Sequence, residues 1–237
     1  MILDNSGFGA GFSGVPTQYV ESHGEFIVPS HGNDSGQLAV WAGLDGFNYR
    51  ALIQNGVWLH TDRTTTLYYE YLQYDNSGNS VGNALFGNFN PPVQAGDDLG
   101  VWNYPCTPSF PLGGSLNVNG GYACFYFFDY TQHISGVTVV HAQPPPFVQF
   151  AGHTAEFIAE RPTGVTSFCP TTPLTNYGAF LSVPATAWDD AGYTHTSSTD
   201  AWIQANLRGT QPTNPPQLES MGFVYGVYLG FQFLAAQ

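Results

Sequence analysis

The sequence predicts an all-β fold, a sandwich or jelly roll of two large antiparallel sheets packed face to face. Composition is the first reason: 16% of the 237 residues are aromatic, with 28 glycines, 17 prolines and no lysine, which favours strands joined by tight turns. The second is that at least eleven short apolar stretches are bounded by Gly, Pro, Asn or Asp. The third is that no segment carries an apolar stripe of helical period over ten residues.

The predicted strands are spread along the chain. They cover residues 25–30, 37–46, 49–60, 64–74, 97–104, 122–130, 136–143, 153–161, 177–188, 200–209 and 222–233. Prolines at 91–92, 144–146 and 215–216 suit the connections between strands, because proline cannot donate to a sheet ladder. An all-β chain of this length commonly has one core, so we expect a single domain over residues 1–237.

The charge balance excludes some partners and favours an acidic setting. Seventeen acidic residues stand against four arginines, for a formal charge of −13 at pH 7. Nucleic acids and anionic membranes bind basic surfaces, so we expect neither as a partner. In acid the carboxylates become neutral and little positive charge is left to cause self-repulsion. We therefore expect a secreted, extracellular protein suited to low pH; an ordinary surface bias towards acidic residues is the alternative.

Three cysteines are too few for a disulfide framework and too scattered for a zinc site. Cys106 and Cys124 flank a segment rich in proline and glycine that reads as a turn between strands. A disulfide closing this loop would stabilise the fold by about 3 kcal/mol and leave Cys169 as a free thiol. The apolar run 223–236 contains Gln232 and is too short to span a bilayer, so no membrane anchor is expected.

Polar residues recur among bulky apolar neighbours on four predicted strands. They are Asp45, Gln54, Glu70 and Glu156. If these strands are adjacent, the four side chains converge in one groove rimmed by aromatic residues. Glu160 shares a strand face with Glu156, because alternate residues of a strand point the same way, but lies about 13 Å further along. We expect Glu160 to be a surface acid at the strand end.

Strong hydrolytic motifs are missing from the sequence. It contains no HExxH pair, and its seven histidines are dispersed. GNSVG at 78–82 matches GxSxG and GAGFSG at 9–14 matches GxGxxG, but neither stands between a predicted strand and a predicted helix, which is the context that a nucleophile elbow or a phosphate loop needs. Carboxylates and amides remain as reactive groups. A carboxylate can take a proton from water and return it to a leaving group, while a glutamine NH2 can stabilise an oxyanion. A Glu paired with a Gln therefore suits the addition of water to an amide carbonyl in acid.

Several segments resemble the glutamic peptidases known as eqolisins. The stretch ALIQNGVWLH (51–60) resembles the strand that carries the family's catalytic glutamine, and TAEFIAER (154–161) resembles the strand that carries its catalytic glutamate. AVWAGLDG (39–46) and LYYEYL (67–72) are similar to the strands on either side of the glutamine strand. Order and spacing agree from about residue 25 to about residue 165.

The resemblance implies a site, a fold and an activity. Gln54 and Glu156 correspond to the catalytic pair. The residues implied to bind substrate, in or behind the cleft, are Trp41, Asp45, Glu70 and Tyr71. The implied fold is a concanavalin A-like sandwich, and the implied activity is cleavage of polypeptide substrates at low pH without metal or cofactor. We expect the protein to act as a monomer.

Two departures from the family concern substrate binding. Residues 5–9 read NSGFG where the family usually has a tryptophan, and Tyr71 replaces a more typical tryptophan. Neither change touches the implied catalytic pair.

Two other functions remain open from the sequence. A glycoside hydrolase on a similar jelly roll would use Glu70 and Glu156 as its two carboxyls, about 5 to 10 Å apart. A non-catalytic, lectin-like carbohydrate-binding module would stack its aromatic side chains on sugars.

Overall fold

The computed structural model describes the backbone of residues 5–11, 18–32, 36–46, 49–82, 84–106, 121–160, 179–182, 186–195, 202–205, 219–224 and 228–233. Side chains are described within 18–32, 36–46, 49–82, 84–106, 121–160 and 186–194. The described residues form strands and no helix, which confirms the all-β prediction. Within these ranges there is thus no helical segment able to cross a membrane.

Seventeen strands are present in the described ranges. The first nine are β1 (Asn5–Gly11), β2 (Tyr19–Ile27), β3 (Leu38–Asp45), β4 (Ala51–Leu59), β5 (Thr65–Tyr74), β6 (Ser80–Val81), β7 (Leu85–Gly87), β8 (Asp98–Cys106) and β9 (Tyr122–Asp129). The others are β10 (Ile134–His141), β11 (Thr154–Glu160), β12 (Ala179–Ser182), β13 (Thr186–Asp189), β14 (Thr194–His195), β15 (Trp202–Ala205), β16 (Glu219–Val224) and β17 (Tyr228–Phe233).

The strands form two antiparallel sheets. The front sheet has eight strands in the order β15-β1-β11-β3-β4-β5-β6, with β7 also paired to β5. The back sheet has nine strands in the order β10-β9-β8-β2-β12-β17-β16, with β13 joining β2 to β14. The predicted sandwich of two large antiparallel sheets is confirmed.

The core lies between the two sheets and takes alternate residues from each strand. On β3 the residues that enter it are Val40, Ala42 and Leu44, and all three are buried. On the back sheet Val101 and Phe125 meet them. Because successive side chains point to opposite faces, Trp41 and Gly43 lie on the outer face of the front sheet.

Two buried asparagines tie the sheets together across this core. The Asn55 amide nitrogen, on β4, donates to the backbone oxygens of Trp102 at 3.2 Å and Tyr126 at 3.1 Å. Asn103 on β8 reaches the other way and donates to the Ala42 backbone oxygen at 2.7 Å. Buried amides keep such bonds because an unpaired one is costly. The bonds fix β3 and β4 against the back sheet.

The observed strands differ from the predicted pattern in several ways. Strand β2 begins at Tyr19, whereas the predicted strand begins at residue 25, and the short strands β6, β7 and β14 were not predicted. The predicted strand 177–188 covers β12 and most of β13, and the predicted strand 222–233 covers the end of β16 and all of β17, which pair antiparallel. Strand β1 was not predicted, because its sequence NSGFGAG reads as a turn with three glycines in seven residues. It forms by pairing with β11 and β15.

The predicted disulfide is confirmed. Cys106 and Cys124 are joined across the β8–β9 pair, with their Cα atoms 5.8 Å apart. Cys169 lies outside the described residues.

Candidate active site

One row of register partners runs across the outer face of the front sheet. Glu156 on β11 pairs with Gly43 on β3, Gly43 pairs with Gln54 on β4, and Gln54 pairs with Glu70 on β5. Register partners in an antiparallel sheet point to the same face. The structure therefore brings three of the four predicted polar groups into a single line.

Gly43 separates the glutamate from the glutamine. Two strand spacings, about 10 Å, lie between the Cα atoms of Glu156 and Gln54. The indole of Trp41 lies over Gly43, where an added Cβ would approach its ring carbons to 2.9 and 3.2 Å. Glycine thus allows the indole to lie flat on the sheet. Trp41, 4% exposed, forms an apolar floor between the two polar groups.

Glu70 orients the Gln54 amide. The Gln54 Nε2 donates to Glu70 Oε2 at 2.7 Å. An ionised carboxylate can only accept, so it selects the amide orientation that turns NH2 towards Glu70. Burial raises the pKa of Glu70, and the bond from Gln54 acts against this rise. Gln54 Oε1 is buried without a hydrogen-bond partner.

The Glu156 carboxylate lies against the turn that ends β3. A Cβ added to Gly46 would come within 3.4 Å of both Glu156 carboxylate oxygens. Gly46 also has φ +101°, a conformation that L side chains rarely adopt. Thr154, two residues before Glu156 on the same face, donates its hydroxyl to Glu156 Oε1 at 3.1 Å. The carboxylate is therefore held between the Gly46 backbone and the Thr154 hydroxyl.

Asp45 binds backbone and not the cleft. Its carboxylate accepts the N–H groups of Ala151 at 2.7 Å, Gly152 at 3.0 Å and His153 at 2.6 Å. The residue is 0% exposed and has φ 61°, which turns it out of the strand alternation. Burial raises the pKa of Asp45, and the three N–H groups act against this rise. Asp45, which the resemblance implied to lie in or behind the cleft, holds the segment that leads into β11.

Tyr71 packs into the core between the sheets, where its hydroxyl accepts the backbone N–H of Phe150 at 3.1 Å. Glu70 and Tyr71 are consecutive on β5, so they point to opposite faces of the sheet. Of the two places that the resemblance implied, in or behind the cleft, Tyr71 takes the second.

Sequence reasoning missed the residues that make room for this site. It gave no role to Gly43, Gly46 or Thr154. The signals were present: Gly43 and Gly46 flank the Leu-Asp pair that ends β3, and Thr154 stands two positions before Glu156. A glycine within a strand indicates that another group lies close to its backbone, but the sequence does not identify that group.

The side chains in this row can take part in the reactions of a carboxylic acid and of an amide. A carboxyl group can transfer protons and an amide NH2 can donate to a developing negative charge. Across the described part of the chain, no three His, Cys, Asp or Glu side chains are grouped as metal ligands would be.

The sequence matches no protein-family model and no curated protein. Solved structures do match. Scytalido-glutamic peptidase bound to a peptide-based transition-state analogue is 15% identical, with a TM-score of 0.71 and 98% of each chain covered. SCP-B, an eqolisin peptidase complexed with the tripeptide Ala-Ile-His, is 15% identical, with a TM-score of 0.72 and 98% of each chain covered.

A second scytalido-glutamic peptidase structure, with a transition-state analogue inhibitor, is 18% identical, with a TM-score of 0.69 over 99% of this chain and 100% of that one. Likeness at this identity establishes architecture. The class of molecule is therefore an all-β sandwich of two antiparallel sheets. Within that class, the chain has the fold of the eqolisin glutamic peptidases along nearly its whole length.

Proposed function

We propose that this protein is a glutamic endopeptidase that cleaves polypeptides in acid. The observation that carries the proposal is the row in which Glu156 and Gln54 flank Gly43 on the outer face of the front sheet. The likeness to peptidases solved with peptide-like ligands supports a polypeptide as the substrate.

In the proposed reaction, Glu156 is the general base. It takes a proton from a water molecule held beside it, and the resulting hydroxide adds to the carbonyl carbon of the scissile amide. Protonated Glu156 then gives its proton to the leaving nitrogen as the C–N bond breaks. One carboxyl group thus serves as base and then as acid, and no metal ion or cofactor enters the mechanism.

Gln54 is the proposed oxyanion stabiliser. Glu70 accepts one N–H of its amide, which leaves the second N–H to donate to the substrate oxygen. A donor held in advance at the position where charge develops stabilises the transition state more than the ground state. Glu70 is a positioning residue in this mechanism, because it acts on the substrate only through Gln54.

The proposed mechanism sets the pH dependence. The protonated form of Glu156 must give its proton to the leaving nitrogen, and a carboxyl group loses that proton to solvent more readily as pH rises. We expect activity to fall as pH rises above about 5. A flat rate through neutral pH would contradict a carboxyl group that cycles its proton.

The geometry favours the peptidase over the glycosidase. The Glu70 carboxylate accepts the Gln54 amide N–H at 2.7 Å. A glycosidase needs its two carboxyls to face one glycosidic bond from either side, whereas Gln54 and Gly43 occupy the two register positions between Glu70 and Glu156. The carbohydrate-binding alternative assigns no role to a buried Gln–Glu bond in the middle of the sheet.

Secretion into an acidic environment and a monomeric state belong to the same proposal. The support for secretion is compositional: four arginines, no lysine and a disulfide. Disulfides persist in oxidising compartments.

Three assays on one preparation of purified protein test the proposed function. A denatured protein substrate at about pH 4, a panel of polysaccharides and a glycan-binding measurement are run side by side, the first because carboxyl catalysis is expected in acid. We expect cleavage of the protein substrate and no release of sugar. Sugar release, or glycan binding without proteolysis, would overturn the proposal.

A further inference from the structure

The outer face of β4 carries a second feature that the proposed mechanism does not use. Trp58, His60 and Phe86 pack together there, and we name these three side chains the aromatic shelf. The rings of Trp58 and His60 are parallel with centroids 5.7 Å apart. Phe86 meets both edge-on, with its centroid 5.3 Å from each.

The aromatic shelf lies on the same face as the Glu156–Gln54 row. Trp58 is four residues from Gln54 on one strand, so the two side chains share a face and lie about 14 Å apart. Phe86 is the register partner of Tyr68, which in turn is the partner of Gly56 on that face.

No side chain of β4 stands between Gln54 and the shelf. The intervening residue on this face is Gly56, where an added Cβ would collide with the backbone of Val40 and Trp41. Tyr68 lies beside Gly56, and its ring meets Trp58 edge-on at 5.8 Å. On β4, therefore, no side chain separates Gln54 from the shelf, and the Tyr68 ring connects this part of the face to Trp58.

The shelf offers rings and not polar groups. The Trp58 indole N–H is already donated to Gln37 Oε1 at 2.8 Å. The His60 Nε2 is bonded to the Thr66 hydroxyl at 2.7 Å. Phe86 is 50% exposed, an unusual position for a large apolar ring, so covering it with another apolar group releases water favourably.

We infer that the aromatic shelf is a substrate subsite that takes an apolar or aromatic side chain of the polypeptide. An extended peptide advances about 3.4 Å per residue, so the 14 Å between Gln54 and Trp58 corresponds to about four residues from the scissile bond. The inference rests on the proposed peptidase function and names the substrate feature that this site selects.

The structure provides a matched pair of residues for the test. Leu85 is 48% exposed and precedes Phe86 on β7, but it is the register partner of Tyr69, whose ring packs against the core. Leu85 thus points to the opposite face from Phe86. Phe86→Ser removes a ring from the shelf, while Leu85→Ser removes an equally exposed apolar side chain beside it.

The experiment uses internally quenched peptides with one cleavable bond, mapped first by mass spectrometry. Peptides carry Phe or Ser at the third, fourth or fifth residue on either side of that bond. We expect wild-type protein to cleave one Phe peptide with a kcat/KM about tenfold above its Ser counterpart. In Phe86→Ser the kcat/KM for the Phe peptide should fall to that for the Ser peptide, while Leu85→Ser should keep both the preference and the wild-type rates.

Each other result overturns the inference. Cleavage with no preference at any of these positions, or a preference that survives in Phe86→Ser, would remove the subsite and leave the peptidase function standing. Failure of the wild type to cleave any peptide would overturn both. Binding of an oligosaccharide or of a second copy of the chain that Phe86→Ser abolishes, without a peptide preference, would assign the shelf to that partner.

Discussion

At the scale of single residues, two glycines explain why the site has its shape. Gly43 admits the Trp41 indole between Glu156 and Gln54, the proposed catalytic pair, and Gly56 admits the backbone of β3, because a Cβ at either position would meet Trp41. Gly56 follows Gln54 by two residues and shares its face. The glycine in ALIQNG is therefore required by the close approach of two strands, independently of any role in catalysis.

The first prediction concerns Glu70. Glu70→Ala removes the acceptor that orients the Gln54 amide, and we expect kcat to fall by up to about 100-fold with little change in KM. Glu70→Gln can still accept through its amide oxygen, so it should recover most of the activity. The measurement is steady-state kinetics on one peptide at about pH 4.

The two variants separate a positioning role from a chemical one. If Glu70 itself transferred protons, Glu70→Gln and Glu70→Ala would lose activity to the same extent. Equal inactivity of both variants would therefore contradict the positioning role, as would full activity of Glu70→Ala.

Side-chain alternation predicted part of the site. It placed Gln54, Glu70 and Glu156 where they could share a face, and the register brings them into one row. The same alternation puts Tyr71 on the face opposite Glu70, so the sequence already indicates that the two side chains cannot line one surface. Asp45 could not be predicted, because its positive φ breaks the alternation on which the prediction depends.

At the scale of elements, the connection between β10 and β11 positions Glu156, the proposed general base. Gln73 on β5 donates to the backbone oxygen of Val148 at 2.9 Å and accepts the N–H of Gln143 at 2.8 Å. Asp45 then binds the backbone of residues 151–153. The connection is thereby anchored from two strands of the front sheet before β11 begins.

The second prediction tests this anchoring. Asp45→Ala leaves three N–H groups without their acceptor, and unsatisfied buried donors cost about 1–3 kcal/mol each before relaxation. We expect the free energy of unfolding to fall by about 3 kcal/mol overall, with a loss of activity because Glu156 is displaced. Urea denaturation and peptide cleavage measure the two effects.

Asp62→Asn is the control for that variant. Asp62 is exposed in the turn after β4, where its Oδ1 accepts from Thr64, and an amide oxygen can replace it. Its substitution should leave the free energy of unfolding close to that of the wild type. An Asp45→Ala variant as stable as Asp62→Asn would contradict the anchoring role.

Elements were harder to predict where pairing overrides local sequence. Strand β1 is glycine-rich and forms only because β11 and β15 supply hydrogen-bond partners on both sides. The β16–β17 pair reads as one apolar run because both strands are apolar, and nothing in the run marks the reversal. The longer strands β3, β4 and β5 follow strong alternation, and their predicted ranges match the observed bounds within two residues.

At the scale of the whole molecule, several acidic groups favour their neutral form. Burial raises the pKa of six carboxyl groups among the described side chains: Glu21, Glu25, Asp45, Glu70, Asp98 and Asp129. A carboxyl whose pKa is higher in the folded state binds its proton more tightly there than in the unfolded chain. Its contribution to stability is therefore present below the unfolded pKa and is lost as pH rises through the folded value.

Two histidines oppose this trend, because burial lowers the pKa of both His23 and His60. The His23 ring stacks on Trp102 with centroids 4.2 Å apart, and its pKa is lowered to about 4. The unfolded chain takes up each proton below a pKa of about 6.5, so stability falls as pH drops from there towards the folded value. The six acids, opposed by these two histidines, predict greatest stability in moderate acid.

The third prediction is a higher melting temperature at pH 5 than at pH 7.5, by about 3 °C or more at constant ionic strength. Differential scanning calorimetry measures it. The sign follows from the six raised carboxyl pKa values, which favour the folded state below neutrality. Equal or greater stability at pH 7.5 would contradict the account of an acid-adapted fold.

Asp129→Asn tests one contributor to that difference. Asp129 is 0% exposed, its Oδ1 accepts the Gln132 N–H at 2.9 Å, and the charge of Asp97 raises its pKa beyond the effect of burial. An uncharged amide removes this titration, so the melting-temperature difference between pH 5 and pH 7.5 should shrink. The exposed variant Asp190→Asn should leave the difference unchanged.

The most direct test of the whole account compares two glutamates on one strand. Glu156 and Glu160 lie on the same face of β11, but only Glu156 is in the row with Gln54. We predict that Glu156→Gln lowers kcat for peptide cleavage by about 1000-fold or more without changing the melting temperature, because it removes the general base. Glu160→Gln should remain within a few-fold of wild type. Retained cleavage by Glu156→Gln, or equal losses in the two variants, would contradict the assignment of Glu156.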